Sequence, residues 1–497
     1  MFKYTFFKTL RVVLFVCAIG GLTFGCGDDD GPAAPNVEAP RVNQFIWEGL
    51  NSWYFWQADV PNLSNDVRND VSNYEALLNS TSDSEQLFFN LLNNYPFTDR
   101  FSFIVDDYEA LDNAFQGIST SYGYEFGLRL ETQGGTDVFG WVQYVLPGSP
   151  ADNAGIVRGD LFNQINGQQL TTSNFRDLLF GEAAYNLGFA DIVNGEIITN
   201  GESVSMSSTL ITENPVYLAN AIDLPNGDKV GYLMYNAFIS TFHSELNAAF
   251  AGFIAEGIDE LVVDLRYNGG GSVLTSQYMA SMIHAADNDK IFGNITYNEK
   301  KSQFSSQLTF SDQVELKNGD FQTIGTQPLN SLNFNTVYIL VSEDTASASE
   351  LVINALEPFA NVVLIGDVTV GKNVGSLTLY DSPSNDYLNR ANANPTHLWA
   401  MQPIVSQFSN AVNDSDYGNG FIPSILLDEK DFLGDLKPLG DPQELLLNAA
   451  LNLICGDCLP VPLPSTIEAS NQFGEAVTSS KSRNPFYQDM HLNDLIN

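Results

Sequence analysis

Cysteine, histidine and basic side chains are all scarce in this sequence. Of its 497 residues four are Cys and four are His, and 21 Lys and Arg face 60 Asp and Glu, a formal net charge of −39. A chain this acidic is repelled by nucleic acid and by anionic lipid faces, so neither is a partner held by charge. The histidines, His243, His284, His397 and His491, form no close cluster, and neither a His-Glu-x-x-His helix nor a Gly-x-Ser-x-Gly elbow occurs. A Ser-His-Asp triad built from distant positions is left open. A zinc site needs about four ligands, and Cys455-Gly-Asp-Cys458 supplies half of one. No metal and no cofactor is expected. In an oxidising compartment Cys455 and Cys458 pair as a local disulfide, a redox dithiol being the other use of the spacing. What is plentiful is apolar: 44% of residues are hydrophobic and 12% aromatic, enough for several cores. The length suggests two to four domains.

The apolar run Val12–Phe24, behind Lys3, Lys8 and Arg11, is too short to span a bilayer comfortably and has the form of a secretory signal. Its end, Leu22-Thr23-Phe24-Gly25-Cys26, resembles a bacterial lipobox, which implies cleavage after residue 25 and lipid on the Cys26 thiol. An ordinary signal peptide with an incidental cysteine is the alternative. Residues 26–40 form a Gly/Ala/Pro/Asp tether with no core-forming pattern. Asp28-Asp29-Asp30 is similar to the acidic export signals of some surface lipoproteins. Together these imply an extracytoplasmic protein of the bacterial cell envelope, held to a membrane only through lipid, on the periplasmic or surface face of the outer membrane. Loss of residues 1–25, which hold three basic and no acidic side chains, takes the net charge from −39 to −42.

The rest of the chain divides by pattern. Residues 41–115 read as a helical domain: Phe45, Ile46, Leu50, Trp53 and Tyr54 recur at helical spacing, as do Leu87, Phe88, Leu91 and Leu92. The run Trp53-Tyr54-Phe55-Trp56 reads as core rather than as a binding surface. Residues 116–212 begin with a candidate strand, Tyr124–Leu130. Turn signals follow at Pro147-Gly148 and Asn166-Gly167, with a helix start at Ser149-Pro150. This succession, through Arg158-Gly159-Asp160, closely resembles a bacterial PDZ domain. The resemblance implies a module that binds peptides by strand addition and captures a terminal carboxylate in a loop, which would lie near Tyr124, Glu125, Phe126 and Gly127. A module that only packs on its neighbour is the alternative. Residues 213–456 alternate strands and helices, the mark of an α/β layered core. The tail, 457–497, is polar and proline-punctuated, with no helical or strand period.

The stretch with most chemistry in it is Ser342–Ser376. A β-branched strand through Val337, Ile339 and Val341 leads into Ser347, and Leu351, Val352, Ala355 and Leu356 follow at helical spacing. A hydroxyl at such a junction lies at the positive end of a helix dipole, among N–H groups able to hold an oxyanion. Lys372 comes 25 residues later, after a second apolar strand, Asn361–Gly366. Taken alone, Ser347-x-x-Glu350 is a capping box and Lys372 a solvated surface residue. Upstream, Glu260–Leu265 is a buried strand that runs into Arg266-Tyr267-Asn268-Gly269-Gly270-Gly271. Three glycines after a strand let the backbone present N–H groups to a ligand, yet the spacing and lysine of a phosphate-binding P-loop are missing.

Thr345-Ala346-Ser347-Ala348-Ser349-Glu350, Gly371-Lys372 and Asp264-Leu265-Arg266-Tyr267-Asn268-Gly269-Gly270 resemble the signatures of the C-terminal-processing, tail-specific serine peptidases, relatives of the tricorn-type proteases. Asp99-Arg100-Phe101-Ser102 and Tyr417–Pro423 extend the resemblance from about Arg41 to Gly456. It implies an α/β multidomain protein with a helical N-terminal domain, a PDZ-like β-rich domain and a ClpP/crotonase-like serine protease core. It also implies Ser347 as nucleophile, Lys372 as base, and N–H groups of Gly270, less surely Gly269, and of Ala348 as the oxyanion hole. The substrate class is a peptide or unfolded protein. Ordinary lysine, with a pKa near 10.4, is neutral about once in 2,500 molecules at pH 7, and burial that lowers it by ~3 units raises this to about a quarter. Many members of the family orient the lysine with a glutamine four residues on. Ser376 stands there instead and is short enough to need a bridging water. A catalytically inactive peptide-binding or scaffolding protein on the same fold, and an esterase using the same dyad, are the competing readings. Oligomeric state is not written in the sequence.

Overall fold

The computed structural model describes residues 40–284, 289–462 and 473–495. The expected signal, Cys26 and Asp28–Asp30 lie outside the described residues. The apolar runs build a six-stranded sheet in the order Val216–Asp223, Lys229–Tyr235, Glu260–Asp264, Thr336–Val341, Asn361–Gly366, Ile425–Leu426. Its first pair is antiparallel and every other pair parallel. Side chains alternate across a strand. Leu233, Tyr235, Leu261, Val263, Ile339 and Val341 therefore share one face with the buried residues of helices His243–Glu256, Val273–Ile283 and Ala348–Leu356. Tyr232, Met234, Val262 and Leu340 face the other way, against helix Leu445–Cys455. Covering both faces is what makes these strands almost continuously apolar. Each buried aliphatic side chain contributes about 1.5–3 kcal/mol relative to exposure.

Parallel order has a consequence for chemistry. Strands Glu260–Asp264, Thr336–Val341 and Asn361–Gly366 are neighbours and point the same way. The glycine loop, Ser347 and Lys372 each follow one of them, so all three emerge at one edge, where open α/β sheets place their sites.

The N-terminal helices share the main hydrophobic core. Phe45, Ile46, Trp47, Leu50 and Trp53 of helix Arg41–Trp53 are fully buried in the same cluster as Val337 and Ile339. Trp53 and Tyr54 are core, as their spacing predicts. The PDZ-like region carries a core of its own, around Phe126, Leu128, Phe162, Ile165 and Leu187, on an antiparallel sheet. One expectation is corrected here. Tyr124, Glu125, Phe126 and Gly127 form no loop; they begin the strand Tyr124–Leu130, because Tyr124, Phe126 and Leu128 alternate onto the buried face.

The tail is more structured than its composition suggests. Ala476–Ser479 pairs antiparallel with Tyr124–Leu130, and Met490–His491 is inserted between Gly271–Ser272 and Val374–Ser376, parallel to both. Cys455 and Cys458 are joined by a disulfide at its start.

Candidate active site

Ser347 is the N-cap of helix Ala348–Leu356 and is held at φ +65°, ψ −117°. A residue with a β-carbon persists there only when its surroundings over-determine it, at a cost of about 1–3 kcal/mol. Here the surroundings are explicit. The Ser347 N–H donates to Glu350 Oε2 at 2.8 Å, and Asn268 O accepts from Ala346 N–H at 3.2 Å and from Ser349 Oγ at 3.0 Å. The glycine loop is thereby stapled to the turn that carries the serine. Gly270, at φ +117°, lies so close that a β-carbon on it would stand 2.6 Å from Ser347 Cβ and 2.9 Å from Ser347 Oγ. Its N–H donates to Asn268 Oδ1 at 2.9 Å, so this expected oxyanion donor is held by its own loop. Ala348 opens the helix behind the serine, and Gly269 lies under Tyr487, whose carbonyl oxygen would be 2.2 Å from an added β-carbon. Ser347 Oγ itself is buried with no hydrogen-bond partner among the described residues.

Glu350 joins the two halves of the site. Oε2 accepts the N–H of Ser347 and of Lys372, each at 2.8 Å, so those two backbone nitrogens lie within twice that distance of each other. Oε1 accepts the Gly371 N–H at 2.7 Å and Thr369 Oγ1 at 2.5 Å. Burial raises the pKa of the Glu350 carboxyl, and these four donors oppose it. Gly371, at φ +84°, passes where a β-carbon would meet Gly418 O and Gly420 N at 2.5 Å, so glycine is required before the lysine.

Lys372 is buried, with its Nζ 4.9 Å from the centroid of the Phe101 ring. This aromatic wall comes from the N-terminal region. The adjacent Arg100 donates to Gly371 O at 2.6 Å. Burial lowers the pKa of Lys372, while the Asp489 charge and hydrogen bond, and more weakly Asp99 and Glu350, raise it. The lysine does not reach Ser347 Oγ as a hydrogen-bond partner. Nζ donates to Gln488 O at 2.8 Å and to Asp489 Oδ1 at 3.1 Å. Ser376 approaches the lysine through that same carboxylate: its Oγ donates to Asp489 Oδ1 at 2.7 Å. Gln402 Nε2 donates to Ser376 Oγ and to Asp489 Oδ2, each at 3.0 Å.

A cavity of about 750 Å³ connects the PDZ strand to this centre, lined among others by Tyr124, Phe126, Gly269, Gly270 and Tyr487. Among the described residues no group of His, Cys, Asp and Glu is arranged to hold a metal ion.

The sequence profile of Peptidase family S41 matches residues 229–388, that of the peptidase S41 N-terminal domain matches residues 41–103, and a PDZ domain profile matches residues 141–183. Over residues 41–103 and 229–388 the chain is similar to peptidase family S41. It is a serine-type peptidase. It is 25% identical over 311 residues to a carboxyl-terminal-processing protease of Picosynechococcus, covering 59% of this chain and 68% of that protein. A Synechocystis protein of the same name is 24% identical over 396 residues, 76% of this chain and 82% of its own. The crystal structure of a candidate S41 protease from Bacteroides fragilis superposes with a TM-score of 0.65 at 28% identity, over 83% of this chain and 97% of that one. The S41 signatures thus coincide with the three loops that the sheet gathers. Asp489, Gln488 and Gln402 escaped sequence reasoning: none belongs to a local motif, and each reaches Lys372 or its neighbours from a distant element, while Phe101 stood in the Asp99–Ser102 motif with no role at the lysine assigned to it.

Proposed function

We propose that Ser347 is the nucleophile and Lys372 the general base of an endopeptidase that removes the C-terminal tails of extracytoplasmic polypeptides, guided by its PDZ domain. The observation that carries this reading is the shared carboxylate of Glu350, which fixes the strained Ser347 turn and the Lys372 turn to each other beside Gly270. In the reaction, uncharged Lys372 takes the Ser347 hydroxyl proton as Oγ bonds to the scissile carbonyl carbon. The resulting oxyanion is held by the Ala348 N–H and by the Gly270 N–H, which gives up Asn268 Oδ1 to reach it. Collapse breaks the C–N bond, and the proton on Lys372 passes to the departing amine. Water, deprotonated by the same lysine, then opens the Ser347 ester to release the acid and restore the hydroxyl. This requires Lys372 Nζ to exchange its bonds to Asp489 and Gln488 for one to Ser347 Oγ, a change its flexible stem permits. The names of the curated relatives support tail processing, and the PDZ strand supports peptide capture by strand addition. Lipid at Cys26 would place the enzyme at the cell envelope.

A serine-directed fluorophosphonate should modify Ser347, as located by mass spectrometry. Both Ser347→Ala and Lys372→Ala should abolish labelling and the turnover of an unstructured polypeptide. Unmodified Ser347, or turnover that survives Ser347→Ala, refutes the assignment. Hydrolysis of small esters without peptides would favour an esterase.

A further inference from the structure

The residues after Phe473 do two things at once. On the PDZ domain, Ala476–Ser479 adds a strand to the free edge of Tyr124–Leu130, whose other edge is taken by Val138–Val145. Leu130 N–H donates to Glu475 O at 3.1 Å, Ser480 N–H to Phe126 O at 2.8 Å, and Phe126 N–H to Ser480 Oγ at 2.9 Å. Val477 packs against the PDZ core, in the way an extended ligand anchors alternate side chains. Ten residues on, the same segment crosses the active site. Gly271 N–H donates to Asp489 O at 2.8 Å, Tyr487 covers Gly269, and Lys372 Nζ is bound by Gln488 O and Asp489 Oδ1. The Lys372 and Asp489 side chains are each only 1% exposed, so this ion pair is little screened by solvent. Its effect on the chemistry is direct: an ammonium held by a carboxylate has no lone pair for a proton, and Ser347 Oγ is left without an acceptor.

We infer that the segment Phe473–Leu495 is an intramolecular inhibitor, which occupies the peptide-binding edge of the PDZ domain as a tethered strand and holds Lys372 away from Ser347. This rests on the reading of Ser347 and Lys372 as the catalytic dyad. Any polypeptide that pairs along Tyr124–Leu130 must displace Ala476–Ser479, so substrate capture and release of the lysine draw on one segment. Gln402 and Ser376, now bonded to Asp489, are left beside the lysine when the aspartate departs.

The test is the rate at which the fluorophosphonate acylates Ser347 in the full chain. Ser480→Pro removes the N–H donor to Phe126 and the hydroxyl that accepts from it, while Asp489→Ala removes the clamp on the lysine. Each should speed acylation by ~10- to 100-fold, the factor that two neutral hydrogen bonds (Ser480) or one charge-assisted hydrogen bond (Asp489) contribute to a closed population. Unchanged or slower acylation in variants whose near-ultraviolet circular dichroism matches the parent overturns the inference, because Asp489 would then be neutral or would help to position the lysine. A second readout needs no variant: on acylated parent enzyme, backbone amides of residues 487–491 should lose protection from hydrogen exchange. Protection that survives acylation overturns the inference as well. Equal labelling of parent and variants sinks the inhibitor alone, whereas absence of Ser347 labelling in all of them sinks the dyad and the inhibitor with it.

Discussion

Replacing Glu350 with Gln separates a local helix cap from a bridge between catalytic loops. One carboxylate oxygen takes the N–H groups of Ser347 and Lys372, and the other takes Thr369 Oγ1 and the Gly371 N–H. Whichever oxygen becomes NH₂, two donors lose their acceptor in a site with no exposure. Each hydrogen bond to a charged group contributes about 1.5–3 kcal/mol. The neutral amide avoids the desolvation of a buried charge, so the net loss comes to about 3 kcal/mol. A cap alone would account for about 1 kcal/mol. Because a displacement of ~1 Å between reacting groups costs about 10²-fold in rate, labelling of Ser347 should fall by at least that factor. Urea unfolding and probe kinetics on Glu350→Gln measure the two effects. A loss of only about 1 kcal/mol, with labelling unchanged, would return Glu350 to a simple cap and remove the physical link between Ser347 and Lys372.

Four further outcomes follow from the same geometry. Uncharged Lys372 accumulates as pH rises through its pKa, and Asp489 is the strongest of the groups that raise that pKa, ahead of Asp99 and Glu350. The labelling rate should therefore rise with pH, and Asp489→Ala should shift its midpoint to lower pH; a midpoint that stays or rises contradicts this. Gly371→Ala forces a β-carbon to within 2.5 Å of Gly418 O at φ +84°, which should lower stability by about 1–3 kcal/mol and slow acylation, as read by the denaturation midpoint and probe kinetics. Arg266 lies beneath the glycine loop and binds Glu444 Oε1 at 2.6 Å and Oε2 at 2.9 Å, with Asp264 and Glu429 beside it. Arg266→Leu leaves buried carboxylates uncompensated, for a loss of about 3–5 kcal/mol by urea titration. Burial pushes Glu429 up, but Arg158 and Arg266 outweigh it and hold it down to about 2, against 4.5 unperturbed. Its share of the stability is present above pH 4.5 and should disappear as pH falls toward 2.

Much of this architecture was legible because local rules and tertiary structure agree. The β-branched strand before Ser347, the helix after it and the strand Asn361–Gly366 each satisfy one period, and parallel packing brings their ends together. The aromatic run at Trp53 was legible as core for the same reason. The expected PDZ loop was misplaced because Tyr124-Glu125-Phe126-Gly127 alternates like a strand, and the strand won. Asp489 left no sequence signal. Its segment forms short strands, Ala476–Ser479 and Met490–His491, whose partners already exist in other sheets, so the pairing is decided by edges supplied elsewhere. Gln402, and the place of Phe101 beside Lys372, were missed on similar grounds, since proximity to Lys372 comes from topology alone.

The strand Met490–His491 also fixes an order of events. Ser272 Oγ donates to Asp494, 222 residues further along the chain. A chain emerging from the ribosome or from a translocation pore has its glycine loop, serine turn and lysine long before the piece that covers them. Long-range pairings of this kind are slow to form. The nascent molecule therefore passes through a stage in which the glycine loop and the Ser347 turn have been synthesised and the Met490–His491 strand that pairs beside them has not.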